Sequence, residues 1–308
     1  MKNINVQKLQ LLAGLVSAGL LGSTTVLQAQ PTAHYPPGIE GIKAASLPPP
    51  GIYLRDYNVA YFSDRLNDTS GHKAAGLEKT DVFSYANVPR LVWITDYQFL
   101  GGYLGVDALL PLQYTDLDIK PRGAPQSLIN DSTFGIGDFF MEGTWSMHIK
   151  QFDFSFGAGF WAPTGEFDAH NPTKAGLGYW APMLTAGATW YVDSEKKWAL
   201  SVLNRYEFNM EQEDTDITPG QAYTFEWGIS RTLAPNIDLG VIGYYQQQVT
   251  SDTGQSASAR DRVAGVGPEI SVFYPRCTLG WSLRYAYEFM AENRFQGNTV
   301  ALTITKRF

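Results

Sequence analysis

The chain is almost devoid of cysteine. Cys277 is the only one in 308 residues, so no intrachain disulfide can form and no CxxC pair exists to hold zinc. It stands in a run whose odd positions are apolar, which predicts a buried or lipid-facing thiol. Histidine is nearly as scarce: His34, His72, His148 and His170 are all there are. None stands in mid-strand with a serine nearby, so a base–nucleophile pair has no support. No GxSxG, HExxH or P-loop motif occurs. A net charge of -7 argues against nucleic acid as a partner, since that needs basic patches. Beyond the N-terminal segment no run of 18 apolar residues exists, which excludes a membrane-spanning helix. The expectation is a chain with no catalytic residues, no metal and no cofactor.

What the chain has in quantity is aromatic residues, 14% against 17% charged, together with 30 glycines. It opens with an export signal over residues 1–29: Lys2 and Lys8 are basic, residues 9–21 are apolar, and Ala29 is a small residue before cleavage. Residues 30–50 are proline-rich, with His34-Tyr-Pro-Pro-Gly-Ile-Glu-Gly-Ile-Lys and Leu47-Pro-Pro-Pro-Gly. Proline at this density forbids a helix or a central strand. Two readings stand: a disordered leader, or a strap or plug entering the rest of the fold. The second gives Tyr35, Ile39, Ile42 and Leu47 somewhere to go.

From residue 51 onward, segments with one apolar and one wetter face alternate with breaks. They cover 51–63, 87–98, 102–114, 133–148, 151–162, 177–192, 197–209, 221–233, 237–249, 262–274, 277–289 and 298–308. Breaks after the odd-numbered segments are long, polar and rich in Gly, Ser and Asp. Those after the even-numbered ones are short. That rhythm, with segments of about 11–16 residues against ~5–6 for soluble strands, predicts an all-β, 12-stranded antiparallel transmembrane β-barrel over residues 51–308. Its greasy face meets lipid and its wetter face lines a lumen. Val300, Leu302, Ile304 and Phe308 point to lipid. Lys306 lies on the same face and snorkels at the edge. Tyr97, Trp145, Trp190, Tyr191, Trp198 and Tyr274 stand near segment ends, as an interfacial girdle does.

Parity also selects the inward charges: Arg90, Asp107, Asp138, Glu142, Arg205, Glu207, Glu226, Glu269, Arg284 and Glu288. An arginine facing lipid near the midplane costs about 2–4 kcal/mol, so mid-strand arginines turn to the lumen. With seven acids around three bases, the expectation is ion pairing across the lumen. That array serves as a polar eyelet contacting the permeant, or as pairs that only brace the wall. Inward Phe140, Tyr179 and Met183 add an apolar patch that favours amphipathic or aromatic solutes. The acidic loop with Glu211, Glu213, Asp214 and Asp216 reads as a solvated loop more readily than as a divalent-ion site.

A last strand ending in phenylalanine resembles the end of bacterial outer-membrane barrels, which their assembly machinery reads. The stretch from His34 through Pro48-Pro-Pro-Gly-Ile-Tyr53, followed by Asp56-Tyr-Asn, resembles the meta-pathway phenol-degradation family of outer-membrane proteins from about residue 34 to the end. That resemblance implies a Gram-negative outer-membrane channel or transporter for small hydrophobic or aromatic compounds. Its surroundings would be membrane lipid and lipopolysaccharide. The alternatives are a structural or adhesive barrel with an occluded lumen, and an outer-membrane lipid hydrolase. Lys306 departs from the general barrel signature, where an apolar residue is commoner.

Overall fold

A computed structural model describes residues 33–254 and 260–308. The expected export signal, 1–29, lies outside the described residues. The strands are β1 (Gly51–Ser63), β2 (Leu77–Phe99), β3 (Gly102–Leu109), β4 (Leu112–Pro121), β5 (Ile129–Ile136), β6 (Phe139–Ile149) and β7 (Phe152–Ala162). They continue with β8 (Ala181–Tyr191), β9 (Trp198–Glu207), β10 (Ala222–Ala234), β11 (Ile237–Gln248), β12 (Arg262–Tyr274), β13 (Leu279–Glu292) and β14 (Asn298–Arg307). All pairings are antiparallel. β1 pairs with β2 on one side and β14 on the other, which closes the sheet into a barrel of 12 strands with β4 and β5 as additions.

β3 and β4 form one line that rises beside β2, and β5 and β6 form one line that returns. The lines break at Leu110–Pro111 and at Gly137–Asp138. Pro111 has no N–H for the ladder, and its carbonyl instead accepts from Gly137 N at 2.8 Å. The β4–β5 hairpin therefore raises one side of the wall above the rest. This corrects the expected 115–132 loop, most of which is strand. It also corrects the start of β2, which begins at Leu77 rather than 87. The polarity of these segments hid them, because their outward face stands above the lipid. Asp118 bonds Lys79 there at 2.7 Å.

The free edge of β5 needs cover, since an unpaired sheet edge is a template for pairing with another chain. Residues 163–178 provide it. Glu166 N donates to Ile136 O at 2.9 Å, and Gly176 N donates to Glu166 O at 2.9 Å. A Cβ on Gly165 would lie 2.7 Å from Gly137 C and 2.8 Å from Gly176 Cα, so the fit demands glycine. Residues 177–180, expected to begin a strand, belong to this folded loop; β8 starts at Ala181.

The outer surface carries an apolar belt that includes Leu91, Trp93, Phe156, Leu184, Leu200, Leu283 and Leu302, all exposed. This is a lipid-facing surface. Tyr97, Trp190, Trp198 and Tyr274 are exposed near strand ends, as a girdle requires. Tyr191 is a correction: its hydroxyl donates to Asp153 at 3.0 Å, inside the barrel. Cys277 is another. It is exposed in the short turn Pro275–Cys277, because β13 begins only at Leu279. Lys306 Nζ bonds Cys277 O and, at 2.9 Å, Thr278 Oγ1, so it caps that turn at the short-turn rim.

Candidate functional site: a lumen threaded by the N-terminal strap

Residues 33–50 run through the lumen as an irregular chain. They start at the short-turn end, where Tyr53 OH donates to Pro49 O at 2.7 Å. Next, Ala45 N reaches Ser201 Oγ at 3.2 Å and Lys43 pairs with Asp238 at 2.7 Å, both near the short-turn ends of their strands. The segment then climbs to His34, which meets Asp138, at the break between β5 and β6, and Glu207, the last residue of β9, toward the long-loop end. A segment without helix or strand cannot satisfy its own amides, and buried amides must be satisfied.

The barrel's carboxylates satisfy them. Glu269 accepts from Ile42 N at 2.9 Å. Glu226 accepts from Gly38 N at 2.6 Å and from Tyr35 OH at 2.7 Å. Glu207 accepts from His34 N at 3.0 Å and Tyr35 N at 2.9 Å. Gly41 has a φ of +79°, and a Cβ there would overlap the Glu269 carboxylate, so this turn too requires glycine. On the basic side, Arg284 donates to the carbonyl of Ile39.

Glu40 anchors the middle. Its carboxylate lies 2.9 Å from Arg55, 2.7 Å from Arg90 and 3.3 Å from Arg205, and accepts from Tyr57 OH at 3.2 Å. The strap lies inside the wall and is none of the spanning strands. Burial alone would raise Glu40's pKa, but Arg90, Arg55 and Arg205 outweigh it and hold the carboxyl well below the usual range. At the tip, burial disfavours charge on His34, while Asp138 and Glu207 outweigh burial and raise its pKa.

All ten parity-selected charges are buried on the lumen side. Arg90 pairs with Asp107 at 2.8 Å and Arg284 with Glu269 at 3.3 Å. Asp138 accepts from Gly165 N at 2.9 Å and Leu177 N at 2.7 Å, tying down the loop that covers β5. Glu142 accepts from Thr185, and Glu288 accepts from Gly297 N at 2.7 Å and Tyr61 OH at 3.0 Å. The surplus of acid over base is thus taken up by backbone amides, three of the acids holding the strap, rather than by pairs across the lumen alone. Phe140, Tyr179 and Met183 do share one apolar cluster, with Tyr35, Ile39, Tyr57 and Trp161.

Sequence reasoning missed Glu40, His34, Arg55 and the Arg294–Asp261 pair at 3.1 Å. For Glu40 and His34 no periodic signal existed, since a proline-rich segment has no period. Arg55 shares parity with Tyr53 and Tyr57. Its neighbours blurred the pattern, because Asp56, Asn58 and Asn87 face outward and satisfy one another at 2.9–3.2 Å.

Residues 63–304 match the model of a family described as "Putative MetA-pathway of phenol degradation". The chain belongs to that family. No curated protein sequence matches it significantly. Among solved structures, it resembles an outer-membrane channel of Pseudomonas putida F1, with 14% identity and a TM-score of 0.75. The match covers 86% of this chain and 97% of that one. It also resembles the β domain of the Bordetella autotransporter BrkA, with 11% identity, a TM-score of 0.50, and coverage of 84% and 99%. Both are outer-membrane barrels, the fold that the lipid-facing belt and strand closure of this family member already require.

Proposed function

We propose that the protein is an outer-membrane channel for small hydrophobic or aromatic compounds, and that the strap is its closing element. The observation that carries this reading is the way the strap is held. It lies within the lumen, and side chains of the inner wall hold it through non-covalent contacts from His34 to Lys43. Withdrawing it uncovers Phe140, Trp161, Tyr179 and Met183, an aromatic and apolar lining with polar groups around it. Such a lining suits solutes of one or two rings. The family's link to phenol degradation and the channel described for the Pseudomonas relative support the same cargo and mode of action.

In this reading part of the wall charge has a double role. In the closed state Arg90, Arg205, Arg284, Asp138, Glu207, Glu226 and Glu269 hold the strap; in the open state Arg90, Arg205, Glu226 and Glu269 face the permeant. No chemistry on the permeant is assigned to the protein. His148, the one histidine at a strand end, has Asp153 as its partner at 2.7 Å, a contact that fixes the imidazole near the short-turn rim.

Phenol entry into liposomes carrying the full-length protein tests the reading. Entry faster than into empty liposomes is expected, and faster again for a variant lacking residues 33–50. Equal rates for both proteins and empty liposomes overturn the channel. A strap-deleted barrel that is folded but impermeable favours an occluded structural barrel instead.

A further inference from the structure

The ring of His34 sits in a slot built by the barrel. Trp161, from the end of β7, stacks on it with ring centroids 5.2 Å apart and planes 11° apart. Tyr179, just before β8, meets it edge-on at 4.5 Å. Phe140 supports Trp161 from behind at 4.6 Å. Asp138 Oδ2 lies 3.1 Å from Nε2, and Glu207 Oε2 lies 3.5 Å from Nδ1. All five of these residues are buried.

The composition of the slot is specific. A neutral imidazole has one N–H donor and one acceptor. Here Asp138 is within hydrogen-bond distance of Nε2, while Glu207 lies 3.5 Å from Nδ1 as a second negative charge without a hydrogen bond to it. A ring with an N–H toward Asp138 and a positive charge therefore fits best. The electron-rich face of Trp161 lies against the same ring, and such a face attracts cations most when water is excluded. Planarity, an N–H donor and positive charge are therefore all selected. The slot also lies at the long-loop end, which in outer-membrane barrels faces outward. Asp138 ties it further to the loop covering β5, through Gly165 and Leu177.

We propose that the slot of Trp161, Tyr179, Asp138 and Glu207 is a binding site for small planar nitrogen-ring cations with N–H donors, of the imidazolium and aminopyridinium kind, and that His34 occupies it as an internal stand-in. This rests on the channel reading in that the ligand arrives through the outer mouth. A ligand that takes the slot displaces the strap's tip, so recognition and release of the strap are one event.

The test uses imidazole itself as the probe. Saturation-transfer NMR at pH 6 compares full-length wild-type protein with H34A in detergent micelles. H34A is expected to bind imidazole about tenfold more tightly than wild type, whose own ring competes. Binding is expected to vanish in H34A/W161L. Phenol at equal concentration, planar but uncharged, is expected to bind H34A far more weakly. Absence of imidazole binding to folded H34A, or phenol binding as tight as imidazole, overturns the proposal. Folding is checked by heat-shifted migration on gels. Should H34A not fold, His34→Gln is read in the same way. Failure of both to fold makes the ring a structural strut rather than a displaceable occupant, which also overturns it. Phenol flux into wild-type liposomes is measured separately. A failed slot thus leaves the channel standing, and absent flux with intact imidazole binding leaves the site without the channel.

Discussion

Glu40 is the residue on which the interior balances. One carboxylate answers three guanidinium groups, from β1, β2 and β9. Removing one partner of a buried ion pair costs about 3–5 kcal/mol, because the remaining charge stays buried and unanswered. Glu40→Gln leaves three arginines facing each other with a neutral amide between them. The expected outcome is a lower unfolding temperature, read by loss of sheet signal on heating, together with a higher single-channel conductance as the strap loosens. A replacement that lowers stability while leaving conductance at the wild-type level would make Glu40 a brace and not a latch. Residue-level legibility followed the same division. Alternation placed Arg90, Arg205, Glu226 and Glu269 inside, because a strand's period is fixed by its backbone. Glu40 was invisible to that method, since nothing in Pro-Gly-Ile-Glu-Gly-Ile repeats.

Among elements, strands whose outward face lies in lipid were readable to within a residue, as β7 and β10 were, while β13 was placed but set two residues early at its start and three short at its end. Strands that leave the lipid were not readable. The start of β2 and the start of β5 carry exposed polar residues, Glu78, Lys79 and Asp81 in one and Asn130, Asp131 and Ser132 in the other, and their sequences look like loops for that reason. The expected segment 102–114 ran straight through Pro111, where the strand line breaks before it resumes as β4. The loop at 163–178 is the element most dependent on local fit. Gly165→Ala is expected to force Gly165 and Gly176 apart, costing about 1–3 kcal/mol as other overpacked sites do. The measurable result is faster protease cleavage within residues 163–178, with the barrel itself staying intact on gels. Unchanged cleavage would show that the loop can shift without losing its hold on Ile136.

For the whole molecule, closure is the property that matters. β14 is held by β13 and β1 along nearly its full length, and Phe308 N still donates to Ile52 O at 2.9 Å. The Phe308 side chain is mostly exposed, so it contributes little packing. A side chain so exposed is expected to matter more to folding into the membrane than to the stability of the folded barrel. Deleting Phe308 is expected to lower the amount of folded protein in the outer membrane several-fold. The unfolding temperature of the fraction that does fold should stay within ~1 °C of wild type, as for surface changes away from packed features. A matching fall in unfolding temperature would assign the residue to stability instead. The twelve-fold count, the long–short rhythm and the closure of first on last strand were all legible in the sequence, since each follows from period and punctuation.

The route of the strap imposes an order of events on biogenesis. It is continuous with β1, and its tip lies at the opposite end of the cylinder from where it enters. A cylinder sealed between β1 and β14 before the strap was in place would have to admit a chain carrying Pro36, Pro37, Glu40 and Lys43 past Arg90 and Arg205, against a nearly filled bore. If the sheet instead curls around a strap already lying on it, each carboxylate meets its amide while the sheet is still open. The strap is then a mandrel on which the barrel is wound, and the seam is the last thing to form.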